Sequence, residues 1–197
     1  MISTRSRVPL RVGKNQQQCE IISFNNLPED KEHVALVFKA DRLTEQIPLV
    51  RLHSECLTGD AFYSSRCDCG QQLNEAIDVM SERGGIIIYL RQEGRGIGLY
   101  NKLDAYEHQV AGMDTFAANR IIGFDHDLRV YDSAAEILKH LGFERVKLLT
   151  NNGNKKQALI KLGIDVVEEV NTKTYITEDN KNYLQAKREI DGHALAV

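Results

Sequence analysis

Residues 84–111 read GGIIIYLRQEGRGIGLYNKLDAYEHQVA, and the order of features in this stretch decides the fold class. The run Ile86–Leu90 is short and continuously apolar, as a buried strand requires. It leaves through the glycine-rich turn GRGIG into a helix-like stretch near 98–111. Upstream, Leu73, Ala76, Ile77 and Met80 recur at i, i+3, i+4 and i+7, which predicts a helix ending at Gly84-Gly85. Before it lie two β-branched runs bounded by charged or turn residues, VALVF (34–38) and IPLVRL (47–52), both read as strands. Downstream, a helix is plausible over 115–122 and another is predicted over 133–141, stopped by Gly142. VKLLT (146–150) then predicts a strand, a helix ends at Gly163, and IDVVEEV predicts a last strand.

Strands alternating with helices indicate an α/β fold: a single domain with a mixed, largely parallel sheet flanked by helices, plus a polar C-terminal tail. The expected division is a catalytic domain over 1–170 and a tail over 171–197, with a short helix near 183–190, the tail being either flexible or at an interface. Residues 1–33 are mixed and polar and are expected to form an irregular entry to the fold. There is no internal repeat and no low-complexity tract.

A chain of 197 residues would bury roughly 70% of its unfolded surface, enough for a core without staples. Its 42% hydrophobic and 27% charged residues argue against disordered, collagenous and disulfide-scaffold classes. No apolar run approaches the roughly 18 residues of a membrane span. The basic N-terminus lacks the apolar stretch of a secretory signal, so the expected location is the cytoplasm. A net charge of -3 disfavours nucleic acid and anionic membranes as partners, and any anionic ligand must be held by a local cluster.

Cys56, Cys67 and Cys69 form the pattern C-x10-C-x-C. Clustered thiolates in a reducing compartment select zinc, and three protein ligands leave an open position of the kind catalytic sites keep. Cys19, far upstream, is a weaker candidate for a fourth ligand. His53 and Glu55 stand within three residues of Cys56, where either could move protons. Alone, such a pair is more often a core histidine and a surface carboxylate, but a neighbouring cysteine cluster favours function. The local H-x-E resembles that of the zinc nucleobase deaminases, whose P-C-x-x-C partner is missing.

Three further elements suit an anion. Gly94, Gly96 and Gly98 let backbone N–H groups approach a phosphate, with Arg91, Arg95 and Lys102 adding charge. The spacing does not match a dinucleotide fingerprint. TNNGNKK (150–156) stands between a strand and a helix, where Thr150 and Lys155 could meet a phosphate, although a helix cap with a solvated face is the commoner outcome. DHDLR (125–129) places Asp127 two residues before Arg129.

Taken together, RLHSECLTGDAFYSSRCDCGQQL (51–73), RQEGRGIGLYNKLDAY (91–106), DLR (127–129) and LLTNN (148–152) closely resemble the GTP cyclohydrolase II family. The likeness covers about Val34 to Val170. It implies that Cys56, Cys67 and Cys69 hold one catalytic zinc per chain and that Arg51, Leu52, His53, Ser54 and Glu55 contact the nucleotide. Gln72, Glu93, Gly94, Arg95, Thr115, Thr150 and Lys155 match the remaining GTP-binding positions. Asp127 matches the family's proton acceptor, Arg129 its assigned nucleophile, and Tyr106 a site position from which the opened ring could be oriented. The implied reaction removes C8 of guanine as formate and releases pyrophosphate, giving 2,5-diamino-6-(5-phosphoribosylamino)pyrimidin-4(3H)-one. Magnesium is expected on the triphosphate, bound mainly by substrate oxygens.

Zinc can bring bound water to a pKa of about 7, which supplies hydroxide for attack on the ring. Arg129 fits its inherited role poorly, because a protonated guanidinium has no free lone pair. A clamp on the leaving phosphates is the alternative. The sequence departs from many relatives at Ala117, where they carry a carboxylate, and at Gly153, where they carry proline. The resemblance also implies a homodimer and the form without a fused dihydroxybutanone-phosphate synthase domain. Two other readings stay open: a paralogue that stops at the formylated pyrimidine, and a non-catalytic zinc-stabilised nucleotide-binding module.

Overall fold

In a computed structural model, the structure describes residues 1–43, 47–113, 118, 120–124 and 127–180. Among them seven strands form one sheet: β1 (Ser3–Val12), β2 (Gln17–Asn25), β3 (Val34–Phe38), β4 (Leu49–Ser54), β5 (Gly85–Leu90), β6 (Arg145–Leu149) and β7 (Asp165–Val170). Their spatial order is β1-β2-β3-β5-β4-β6-β7. The sheet is mixed. From β1 to β5 neighbours are antiparallel, and β5, β4, β6 and β7 run parallel. The helical segments are α1 (Ala40–Leu43), α2 (Leu57–Asp60), α3 (Cys69–Arg83), α4 (Leu99–Val110), α5 (Asp132–His140) and α6 (Gly153–Lys161).

The continuous apolar run at 86–90 is explained by β5's place between β3 and β4, with both faces covered. Ile86, Ile88 and Leu90 pack with Val50, Leu52 and Leu148 against Ile137 and Leu138 of α5 and Leu159 of α6. Ile87 faces the other way and packs with Phe38 against Ala76, Ile77 and Met80 of α3. Each such side chain contributes about 1.5–3 kcal/mol on burial. This two-sided core holds the carboxyl ends of β4, β5 and β6 at fixed spacing.

The N-terminal segment differs from the expectation of an irregular entry. Residues 3–25 form a hairpin of β1 and β2, turned at Gly13 with φ +71°. β1 is exposed along almost its whole length, so it carries no apolar alternation to betray it. Edge position also tolerates Pro9. Cys19 sits on β2 in the core with Phe38, Ala76 and Met80, where burial pushes its thiol up to about 11. It is a packing residue, apart from the cysteine cluster.

Of the plausible 115–122 helix, Ile122 N donates to Ala118 O, while Thr115 and Ala117 lie outside the described residues. The expected 183–190 helix also lies outside them. Residues 171–180 return to the domain: Thr172 exchanges hydrogen bonds with Asn151, and Thr177 Oγ1 donates to Ser65 O. No described helix is long and apolar enough to cross a membrane.

Candidate active site

In an open α/β sheet, ligands bind beyond the carboxyl ends of the parallel strands. Cys56 stands just past β4, Glu93 just past β5 and Thr150 just past β6. The α2 turn then brings the chain back so that Cys67 and Cys69, at the start of α3, meet Cys56.

The three Sγ atoms lie within 4.8 Å of one another, with Cys56 and Cys67 at 3.6 Å. Two glycines permit this. A Cβ on Gly59 would lie 2.8 Å from Cys67 Sγ and 3.2 Å from Cys56 Sγ, and one on Gly70 would overlap the carbonyl oxygen of Gly59. Cys56 is held well below the ordinary thiol range, first by hydrogen bonds from Cys67 and Cys69, with Lys102 adding to them. Cys67 is correspondingly pushed up to about 11 and Cys69 is also raised. A convergent, glycine-cradled trio of sulfurs with one stabilised thiolate is a donor set that fits a borderline-soft divalent cation.

Asp60, which sequence reasoning missed, fixes the backbone of the first cysteine. Its carboxylate accepts from Cys56 N at 3.1 Å, Tyr89 OH at 2.8 Å and His53 Nε2 at 3.1 Å. His53 also stacks on Tyr89, with 5.5 Å between ring centroids. Burial lowers the His53 pKa despite Asp60, so the ring is neutral near pH 7 and Nε2–H donates to Asp60. The one sequence signal for Asp60 was its place in the Thr58-Gly59-Asp60 turn between the cysteines.

The glycine turn has Gly94 and Arg95 in the left-handed region at φ +62° and +61°. Gly96 is required because a Cβ there would lie 3.1 Å from the Leu128 backbone. Leu128 N in turn donates to Arg95 O at 3.0 Å, so the Asp127–Arg129 segment is docked on the turn. Asp127 receives Arg129 Nε at 2.8 Å and Arg129 N at 3.0 Å. Burial opposes its ionisation, but Arg129 and Arg95 outweigh burial and hold the Asp127 carboxyl below its usual value.

The other predicted residues divide by burial. Glu55 is partly exposed and accepts from Arg91 Nε at 3.0 Å, and Ser54 Oγ accepts from Gln92 Nε2 at 3.0 Å. Arg51 is buried: NH1 donates to Leu149 O, and NH2 donates to Gln72 Oε1 at 2.7 Å. Gln72 Nε2 continues to Asp68 Oδ2 at 2.6 Å, which ties the Cys67-Asp68-Cys69 corner to β4 and β6. Leu52 is a core side chain whose carbonyl accepts from Lys155 Nζ at 2.7 Å. Thr150 Oγ1 accepts from Asn152 N at 3.0 Å. Tyr106, on α4, lies under Arg66 at 4.8 Å and near Lys102 Nζ at 5.6 Å from its centroid. Glu93 turns its carboxylate to Leu57 N, Gly94 N and Lys102.

Fold and site together define an α/β protein with a three-cysteine cluster able to hold a metal ion, set beside a glycine turn that carries an arginine–aspartate pair. Comparison with known proteins narrows the class. Residues 4–171 match the family model described as GTP cyclohydrolase II. The GTP cyclohydrolase-2 of Vibrio vulnificus is 54% identical over 198 residues, covering 100% of both chains. That of Vibrio cholerae is 53% identical over 198 residues, also covering 100% of both. Riboflavin biosynthesis protein RibBA of Thermotoga maritima is 51% identical over 176 residues, 89% of this chain and 45% of the relative. The chain belongs to the GTP cyclohydrolase II family of riboflavin biosynthesis, and it is an enzyme of that class.

Proposed function

We propose that the protein catalyses the zinc-dependent hydrolysis of GTP to formate, pyrophosphate and 2,5-diamino-6-(5-phosphoribosylamino)pyrimidin-4(3H)-one. The observation that carries this reading is the convergence of three sulfurs at one end of the glycine turn and the Asp127–Arg129 pair at the other. Cys56, Cys67 and Cys69 would hold the zinc. Bound there, it supplies the Lewis acidity that makes water a usable nucleophile near neutral pH.

The protein's own groups do the rest. Glu55, beside Cys56 and oriented by Arg91, is placed to move a proton at the reacting ring. Neutral His53 keeps Asp60, and hence the Cys56 backbone, in place. The backbone of the turn at Gly94–Arg95 and the side chains of Arg95, Thr150 and Lys155 face the nucleotide, with magnesium carried on the triphosphate oxygens. Thr115 is included from the family resemblance alone.

Arg129 is paired with Asp127, which keeps its guanidinium protonated and without a lone pair. It therefore serves as a clamp on the charge that develops at the departing phosphates. Asp127, whose carboxyl Arg129 and Arg95 hold below its usual value against the opposing effect of burial, orients that clamp and is the proton acceptor of the reaction. Tyr106 orients the opened ring. Exposed Tyr100, Leu103 and Val110 on α4 are in keeping with a homodimer, which light scattering in solution would read.

The test is incubation with GTP, Mg2+ and Zn2+ while formate and pyrophosphate are followed together. Both products in equal amounts are expected. Pyrophosphate without formate would assign the paralogue that stops at the formylated pyrimidine, and binding without either product would assign the non-catalytic module.

A further inference from the structure

Lys102 looks, in the sequence, like one of three cations gathered around a phosphate-binding turn. The structure puts its ammonium elsewhere. One turn into α4, Lys102 Nζ lies 3.2 Å from Cys56 Sγ, 3.1 Å from Thr58 Oγ1 and 2.8 Å from Glu93 Oε1. A lysine has three N–H donors, and here each has an acceptor, so none remains for a phosphate. The side chain is only 11% exposed, which keeps water from replacing these partners. Glu93 is fixed in its turn, since Oε2 accepts from Leu57 N at 2.6 Å and Oε1 from Gly94 N at 2.8 Å. Glu93, Lys102 and Cys56 therefore link the glycine turn to the sulfur cluster through charge-assisted hydrogen bonds.

We propose that Lys102 is a positioning residue for the metal centre: its N–H···S hydrogen bond anchors the Cys56 sulfur and weakens that sulfur as an electron donor. This rests on the reading of the cluster as a zinc site. Three thiolates around a dication leave one net negative charge, and three strong donors blunt the acidity of the ion they hold. An ammonium against one of them offsets the charge and withdraws electron density from that sulfur. Partners that hydrogen-bond to metal ligands commonly control both affinity and ligand strength. Glu93 is the residue that keeps Lys102 aimed.

The experiment uses metal-free full-length protein loaded with Co2+, whose sulfur-to-metal charge-transfer band reports donor strength directly, and Zn2+-loaded protein challenged with a chelator. Lys102→Met is expected to move the band to longer wavelength and to speed zinc extraction by about ten-fold. Lys102→Arg, which retains a charged donor, should stay nearer the wild type, and Glu93→Gln should fall between. If Lys102→Met does not fold, judged by circular dichroism, Lys102→Gln is read in the same way. A folded Lys102→Met protein with an unshifted band and wild-type zinc extraction, but weaker GTP binding, would overturn the proposal and return Lys102 to the phosphates. A wild-type protein with no charge-transfer band would overturn the zinc reading itself, a failure seen before any variant is made.

Discussion

Gly59 stands against Cys67 so closely that a Cβ added to it would lie 2.8 Å from the sulfur. The same atom would lie 3.0 Å from Cys69 Cβ and 3.2 Å from Cys56 Sγ, so one methyl group would press on all three members of the cluster. Gly59→Ala should therefore fold, because α2 tolerates alanine, at a cost of about 1–3 kcal/mol from overpacking. The expected signature is a spread cluster that retains less than half its zinc after dialysis against a chelator. Wild-type metal content and affinity in this variant would show that the sulfurs are not held at the spacing described.

Removal of a single sulfur tests the ligand set more directly. Cys67→Ser should bind zinc weakly and release no formate, since two thiolates and a hydroxyl make a poorer site. Chelator treatment of the unaltered protein should likewise abolish formate release, and Zn2+ should restore it where Mg2+ alone does not. An unchanged rate in Cys67→Ser with zinc still bound would remove Cys67 from the ligand set.

How much of this was readable beforehand depends on whether a feature is local or long-range. β5 and α3 announce themselves through runs and periodicities of a few residues, and the cysteines through a spacing that only a metal or redox site explains. β1 does not, because an exposed edge strand such as 3–12 has no apolar face to pattern. Asp60 was missed, and Lys102 was read as a phosphate-binding cation, for another reason. Their partners are His53, Cys56 and Tyr89 in one case, and Cys56 and Glu93 in the other, and it is the sheet that assembles these sets. The carbonyl partners of Arg51 and Lys155, at Leu149 and Leu52, are likewise brought to them by the sheet and have no local sequence signal.

The Asp127–Arg129 pair separates two chemistries for the arginine. If Arg129 clamps phosphates, Arg129→Ala should slow pyrophosphate and formate release together by at least about a hundred-fold, with GTP-bound protein still detectable. Arg129→Lys should recover part of the loss, because charge survives while the fork does not. Mass spectrometry after acid quench should find no nucleotide covalently attached to Arg129. An adduct there would establish the nucleophilic role instead, and undiminished pyrophosphate release in Arg129→Ala would exclude both.

His33 gives the fold a pH dependence of definite sign. The ring is 3% exposed and clips the exit of β5, where Arg91 N donates to Nδ1 at 2.8 Å while Nε2 faces Glu29 Oε2 at 3.3 Å. Glu29 favours the charged form, and Lys31 and Arg91 oppose it. Burial is the largest influence, and the His33 pKa falls below 6.5. Protonation would also set an Nδ1–H against the Arg91 N–H. The unfolded chain thus binds the proton first as pH falls, so the stabilisation is complete above about 6.5 and is lost progressively below it, by at most about 1.4 kcal/mol per pH unit for one site. His53, lowered by burial as well, adds a second contribution of the same sign. Urea unfolding at pH 7 and pH 5.5 should show this loss, and His33→Gln should halve it while lowering stability at pH 7. An equal slope in the variant would mean that His33 keeps its ordinary pKa in the folded protein and that its contact with Arg91 contributes nothing to the acid sensitivity.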